Sequence, residues 1–144
     1  MKRIAIGADH GGYNLKQQIM AEINANWTDV GAFNQESSSY VDFAKAVCEK
    51  IQNHEVDFGI IICRSGIGVS ITANRYKHIY AALCLNNAMA KSARIHNNAN
   101  VLCIAADYIS IDQAVEIINT FSSTNFESGG RHEQRVNSIN AKQN

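Results

Sequence analysis

With 144 residues, 46% of them hydrophobic and 18% charged, the chain can bury a core without metals or crosslinks, and residues 1–144 are expected to form a single domain. Thirteen basic residues balance thirteen acidic ones, which excludes a basic nucleic-acid surface or an acidic solvating tail and points to a small partner held by a few placed Arg and His side chains. The four cysteines lack a Cys-x-x-Cys pair and read as reduced thiols, Met1-Lys2-Arg3 runs into a strand without an apolar leader, and no apolar run spans a bilayer. A cytoplasmic protein with no membrane contact is expected.

A first apolar strand, residues 4–8, ends in Asp9-His10-Gly11-Gly12, and a helix is predicted from Tyr13, with Leu15, Ile19 and Ile23 on one face and polar residues opposite. A weaker strand falls at residues 28–30. Helix 41–52 aligns Phe43, Val47 and Ile51, and the β-branched run 58–63 then leads into Cys63-Arg64-Ser65-Gly66-Ile67-Gly68. Beyond it the pattern predicts helix 69–74, strand 81–84, helix 87–95, strand 101–105, helix 112–121 and a C-terminal helix from about 131 to 140. Strands alternating with helices make this an α/β chain, a Rossmann-like three-layer α/β/α sandwich on a mainly parallel five-stranded sheet. Ligands of such sheets bind beyond the carboxyl ends of the strands where the strand order reverses, so function is expected where the ends of the first and third strands converge.

The loop after the third strand carries the strongest chemical signal. Glycines at 66 and 68 permit close backbone approach, and successive N–H groups at a helix start face an anion; a simple tight turn is the plainer reading. The Gly-Lys-Ser/Thr ending of a Walker loop is missing, as is the dinucleotide fingerprint. Cys63 is either a small core residue or, beside a helix start and Arg64, a thiol whose charged form is favoured and which acts as a base. Cys48, Cys84 and Cys103 lack that setting and read as structural. Asp9 is a helix cap or a ligand to substrate, and a cap has no need of the adjacent His10. His96 complements a helix end or serves chemistry. Arg131 and Arg135, four residues apart, share a helix face, where they are solvated or clasp one phosphate.

Taken together, Gly7-Ala8-Asp9-His10-Gly11-Gly12, Cys63-Arg64-Ser65-Gly66-Ile67-Gly68, Ala81-Ala82-Leu83-Cys84, the run from His96 to Leu102 and the run from Gly129 to Val136 resemble the type B ribose-5-phosphate isomerases. The wider group includes the galactose- and allose-6-phosphate isomerases. The resemblance implies an aldose-ketose isomerase of the non-oxidative pentose phosphate pathway that moves a proton between C1 and C2 through a cis-enediolate, without metal or cofactor. It implies Cys63 as base, N–H groups of residues 65–70 (Ser65, Gly66, Ile67, Gly68 and Ser70 among them) holding the enediolate oxygen, and His96 with Ser65 opening the sugar ring. Asp9 and Asn97 would contact the reacting end, Tyr40 would line the pocket, and His10, Arg131 and Arg135 would grip the phosphate. Members without the cysteine place a glutamate where Val69 stands. The family is dimeric, some members tetrameric, with each site completed by the partner's segment containing His96 and Asn97. Departures from the family pattern are Val41 for a proline, Arg64 for a small residue and Asp107 where many members carry an arginine of the phosphate clasp. A hexose-6-phosphate isomerase and a non-catalytic sugar-phosphate-binding module are the alternative readings, and Arg64, the one departure inside the loop, is assigned to the substrate-binding set.

Overall fold

The computed structural model describes residues 1–142. Strands β1 (Arg3–Ala8), β2 (Asn26–Gly31), β3 (Phe58–Cys63), β4 (Ala81–Leu83) and β5 (Val101–Ala105) alternate with helices α1 (Tyr13–Glu22), α2 (Tyr40–Gln52), α3 (Ile67–Ala73), α4 (Asn87–Asn97) and α5 (Ile111–Ser123), and α6 (Arg131–Ala141) follows. The strands form one sheet in the order β2-β1-β3-β5-β4, and every pairing is parallel. The expected mainly parallel sheet is thus wholly parallel, in a three-layer Rossmann-like arrangement.

The alternation of side chains along each strand builds the two outer layers. Ile4, Ile6, Ile60, Ile62, Leu102 and Ile104 face α1, α4 and α5, whereas Ala5, Ile61, Cys63, Val101 and Cys103 face α2 and α3. β3 is buried along its whole length, as a central strand covered on both faces must be. The chain leaves β1 for β2 on one side and returns through α2 to β3 on the other, so the strand order reverses between β1 and β3. That is the position at which an open α/β sheet leaves a crevice beyond its strand ends.

Two differences from the sequence reading have local causes. β2 runs over Asn26–Gly31 rather than 28–30, because its pairing with β1 extends from Arg3↔Asn26 to Gly7↔Gly31, and Asp29 within it is held by a lysine from α1. That lysine, Lys16, is fully buried despite its charge, with its Nζ 2.6 and 2.7 Å from the two Asp29 oxygens. Helix α3 starts at Ile67 instead of 69 because Gly66, at φ 72°, turns the chain sharply into it, and the glycine at 68 does not delay the helix. Among the described residues no helix is long and apolar enough to cross a membrane.

Candidate active site

At the carboxyl ends of β1 and β3 a cavity of about 530 Å³ is lined by Asp9, His10, Tyr40, Cys63, Arg64, Ser65, Ile67, Gly68 and Ile71. Eight of these nine were singled out from the sequence; Ile71 was not, although its spacing of four from Ile67 places both on one exposed stripe of α3.

Each side chain is set by its element. Asp9, 7% exposed, accepts the N–H groups of Gly11 and Gly12 through Oδ1 at 3.0 and 3.2 Å, so it shapes the turn into α1 and also borders the cavity. His10 is tied to the segment before α2: its own N–H donates to Ser38 Oγ at 3.1 Å, and its Nδ1 accepts the Ser38 N–H at 3.2 Å. Tyr40, the first residue of α2, lies across the loop after β3, where a Cβ at Gly68 would come within 2.6 Å of the phenol ring. Any residue but glycine at 68 would push the ring off the loop.

Cys63 ends β3 with its sulfur 3.2 Å from the Gly66 nitrogen, which donates to it. A hydrogen bond of this kind strengthens when the acceptor becomes charged. The tight turn depends on Gly66 itself, since a Cβ there would sit 2.5 Å from the Leu83 side chain in addition to the left-handed φ. The Ile67 N–H donates to Ser65 Oγ at 3.2 Å, so of the first-turn donors of α3, which have no intrahelical carbonyl, Gly68 and Val69 are the ones the loop does not engage. Gly66 and Ser70 do not line the cavity.

The other cysteines differ in environment. Burial pushes the Cys48 thiol up to about 12 and the Cys84 thiol to about 11, and Cys103, wholly enclosed, is raised as well. They remain neutral packing groups. Cys63 is the cysteine that opens on the cavity.

Arg64 lies at the mouth, its stem against Gly11 and its guanidinium 3.6 Å from the Asp107 carboxylate, both side chains half in solvent. Asp107 therefore does not stand beside the cavity as an uncompensated negative charge.

His96, Asn97, Arg131 and Arg135 are not in this cavity. All four are exposed. The His96 ring stacks on His132, centroids 4.2 Å apart, where the end of α4 meets the start of α6, and Asn97 borders a separate cleft with Tyr80 and Ile139. The His132 imidazole titrates below its ordinary value through desolvation first, then through His96 and the Arg131 charge. Topology dictates the separation: α4 runs antiparallel to the strands, so its last residues lie at the amino edge of the sheet, the length of β5 (about 16 Å) from Cys63. Among the described residues no group of three or more His, Cys, Asp or Glu side chains is placed to hold a metal ion.

The family model described as Ribose/Galactose Isomerase matches residues 4–139. The chain belongs to the ribose/galactose isomerase family. It is an isomerase, and the family read from its sequence motifs is borne out. Ribose-5-phosphate isomerase B of Escherichia coli is 37% identical over 98% of this chain and 96% of its own length. The solved ribose 5-phosphate isomerase of Thermotoga maritima is 43% identical with a TM-score of 0.95, covering 97% of this chain and 98% of its own. A ribose-5-phosphate isomerase B of Mycoplasma genitalium, solved with bound ribulose-5-phosphate, is 36% identical with a TM-score of 0.91 over 98% of this chain and 95% of its own.

Proposed function

We propose that this protein interconverts D-ribose 5-phosphate and D-ribulose 5-phosphate, with Cys63 as the base. The observation that carries this reading is the Cys63 sulfur at the reversal point of the sheet, hydrogen-bonded by Gly66 and sharing one cavity with Asp9 and His10. A binding module has no use for a thiol in that position. In the open-chain aldose the sulfur takes the C2 proton, and the electron pair moves to the C1 oxygen to give a cis-enediolate. The O2 proton passes to O1, and the thiol returns its proton to C1. Amide donors at the loop, those of Gly68 and Val69 foremost, stabilise the charged oxygen, while Asp9 Oδ2 and Ser65 address the hydroxyls.

The phosphate end lies toward His10 and Arg64, and anchoring it holds C1 and C2 against the sulfur. The ion pair with Asp107 supports a role for Arg64 in compensating that carboxylate's charge near the phosphate.

The remaining groups come from a second copy of the chain. His96, Asn97, Arg131 and Arg135 sit at the wrong edge of the sheet for their own Cys63, and the cavity is rimmed by exposed apolar side chains, Ile67 and Ile71 at 55%, with Tyr108, 73% exposed, in the adjoining cleft that shares Ser65 and Ile67. A two-fold dimer covers that rim and brings the partner's His96 to the sugar ring and its arginines to the phosphate. Four unpaired cysteines accord with a cytoplasmic location.

The test is ribulose 5-phosphate formation from ribose 5-phosphate by chelator-treated protein, alongside allose 6-phosphate and galactose 6-phosphate. Turnover fastest with the pentose supports the proposal; turnover only with a hexose phosphate, or none, overturns it.

A further inference from the structure

We propose that Ser38 is a positioning residue that fixes His10 as its Nε2–H tautomer, so that the imidazole offers the cavity a single neutral N–H donor. The inference deepens the isomerase reading and rests on it for the identity of the ligand, a phosphate monoester.

The argument is one of donor and acceptor balance. The Ser38 amide is a donor only, and it points at His10 Nδ1 over 3.2 Å. A nitrogen that receives an N–H must carry a lone pair, so the ring proton of neutral His10 resides on Nε2. The reverse contact, from the His10 amide to Ser38 Oγ at 3.1 Å, makes the clamp reciprocal and holds two half-buried residues that are 28 apart in sequence. With Nδ1 occupied, Nε2 is the polar atom the ring has left for the cavity, which it lines with Asp9, Tyr40, Cys63 and Arg64.

Protonating His10 would place an N–H on Nδ1 against the Ser38 N–H, so a cationic ring and the clamp exclude each other. Within this clamp His10 serves a phosphate by direction rather than by charge, and the charge is left to arginine. The clamp also joins the end of β1 to the residue before the Ser39 cap of α2, so the same few residues place both His10 and Tyr40.

Nitrogen-15 NMR of the labelled, intact protein at alkaline pH reads the tautomer directly, with the His10 signals assigned by their loss in His10→Gln. An acceptor-type Nδ1 and an N–H-type Nε2 are expected; a proton on Nδ1 or an even mixture overturns the proposal whatever the substrate is. Steady-state kinetics with ribose 5-phosphate supply the second arm. Glutamine carries its amide nitrogen near the Nε2 position and asparagine near Nδ1. Both substitutions should therefore raise KM, and His10→Asn should raise it about 10-fold or more beyond His10→Gln, the loss of a hydrogen bond to a charged group. Equal losses overturn the tautomer assignment. Ser38→Ala, which removes only the hydroxyl anchor, should raise KM by about 2- to 10-fold with kcat little changed, and Ser38→Thr should restore it. A wild-type protein that turns over no ribose 5-phosphate refutes the substrate reading alone, and the NMR arm, repeated with inorganic phosphate as the probe, still decides the tautomer.

Discussion

At Cys63 two requirements compete within one residue. The residue is 5% exposed and belongs to the same buried cluster as Val69 and Cys103, as a core cysteine would, yet its sulfur faces an amide donor and the cavity. Its neighbours Cys48 and Cys103 show what the same strand-and-helix layer does to a thiol with no such opening: burial pushes both upward. Because the Cys63 side chain is small, Cys63→Ala removes only the sulfur and leaves the layer intact. We expect it to lower kcat by at least about 10³-fold while thermal unfolding shifts by little and phosphate-monoester binding by less than about 3-fold. Turnover within 10-fold of wild type would take the thiol out of the mechanism. Arg64 gives a second residue-level prediction. Its ion pair with Asp107 is exposed at 3.6 Å and adds at most about 1 kcal/mol to folding, so Arg64→Ala should leave stability nearly unchanged. Its effect belongs to KM, which should rise about 10-fold through loss of a phosphate contact and release of the Asp107 charge at the mouth. An unchanged KM in Arg64→Ala would mean that the guanidinium serves only its carboxylate.

Among the elements, those with regular apolar spacing were legible in the sequence, and the failures came where a long-range polar contact overrode local pattern. The period along α1 placed Leu15 and Ile19 correctly inward but could not show that Lys16 is inward too, because its partner Asp29 lies on β2. A lysine is ordinarily solvent-exposed unless its charge is paired. In the fold the Lys16 ammonium bridges both Asp29 oxygens and lies 5.4 Å from the Phe33 ring, while the same carboxylate accepts the Gly31 N–H. This pair links α1 to the end of β2 and so to the segment that leads to Ser38. The clamp on His10 was equally invisible, since nothing in a Ser-Ser-Ser run announces a contact with residue 10. Lys16→Met keeps the stem's packing and removes the charge, leaving Asp29 unpaired. Asp29 is 23% exposed, so the expected loss is about 3 kcal/mol, the lower end for breaking a buried pair. Denaturant titration checks it, and Asp29→Asn added to Lys16→Met should recover part of the loss. No change in the midpoint for Lys16→Met would show that the ammonium's burial is compensated by hydrophobic gain rather than by the pair.

At the scale of the whole molecule, the sequence order explains why one copy of the chain does not bring the two sets of candidate residues together. Asp9 and Cys63 follow strands and therefore lie at the carboxyl edge of the sheet; His96 and Asn97 end a helix that runs back against the strands and lie at the amino edge. No rotamer bridges about 16 Å, the rise of a five-residue strand. If each site joins the carboxyl edge of one copy to the α4–α6 corner of another, damage to the two edges should complement. Cys63→Ala and His96→Asn are each expected to be nearly inactive alone. Mixed in equal amounts and allowed to exchange subunits, half of the dimers carry one copy of each, and in these one of the two sites combines an intact Cys63 with an intact partner His96. Activity should therefore recover to about a quarter of wild type. Recovery should vanish when the subunits are crosslinked as homodimers before mixing. Mixtures that stay inactive despite demonstrated exchange would place both residues in one chain's site, and the separation across the sheet would then have to close by a conformational change rather than by a partner.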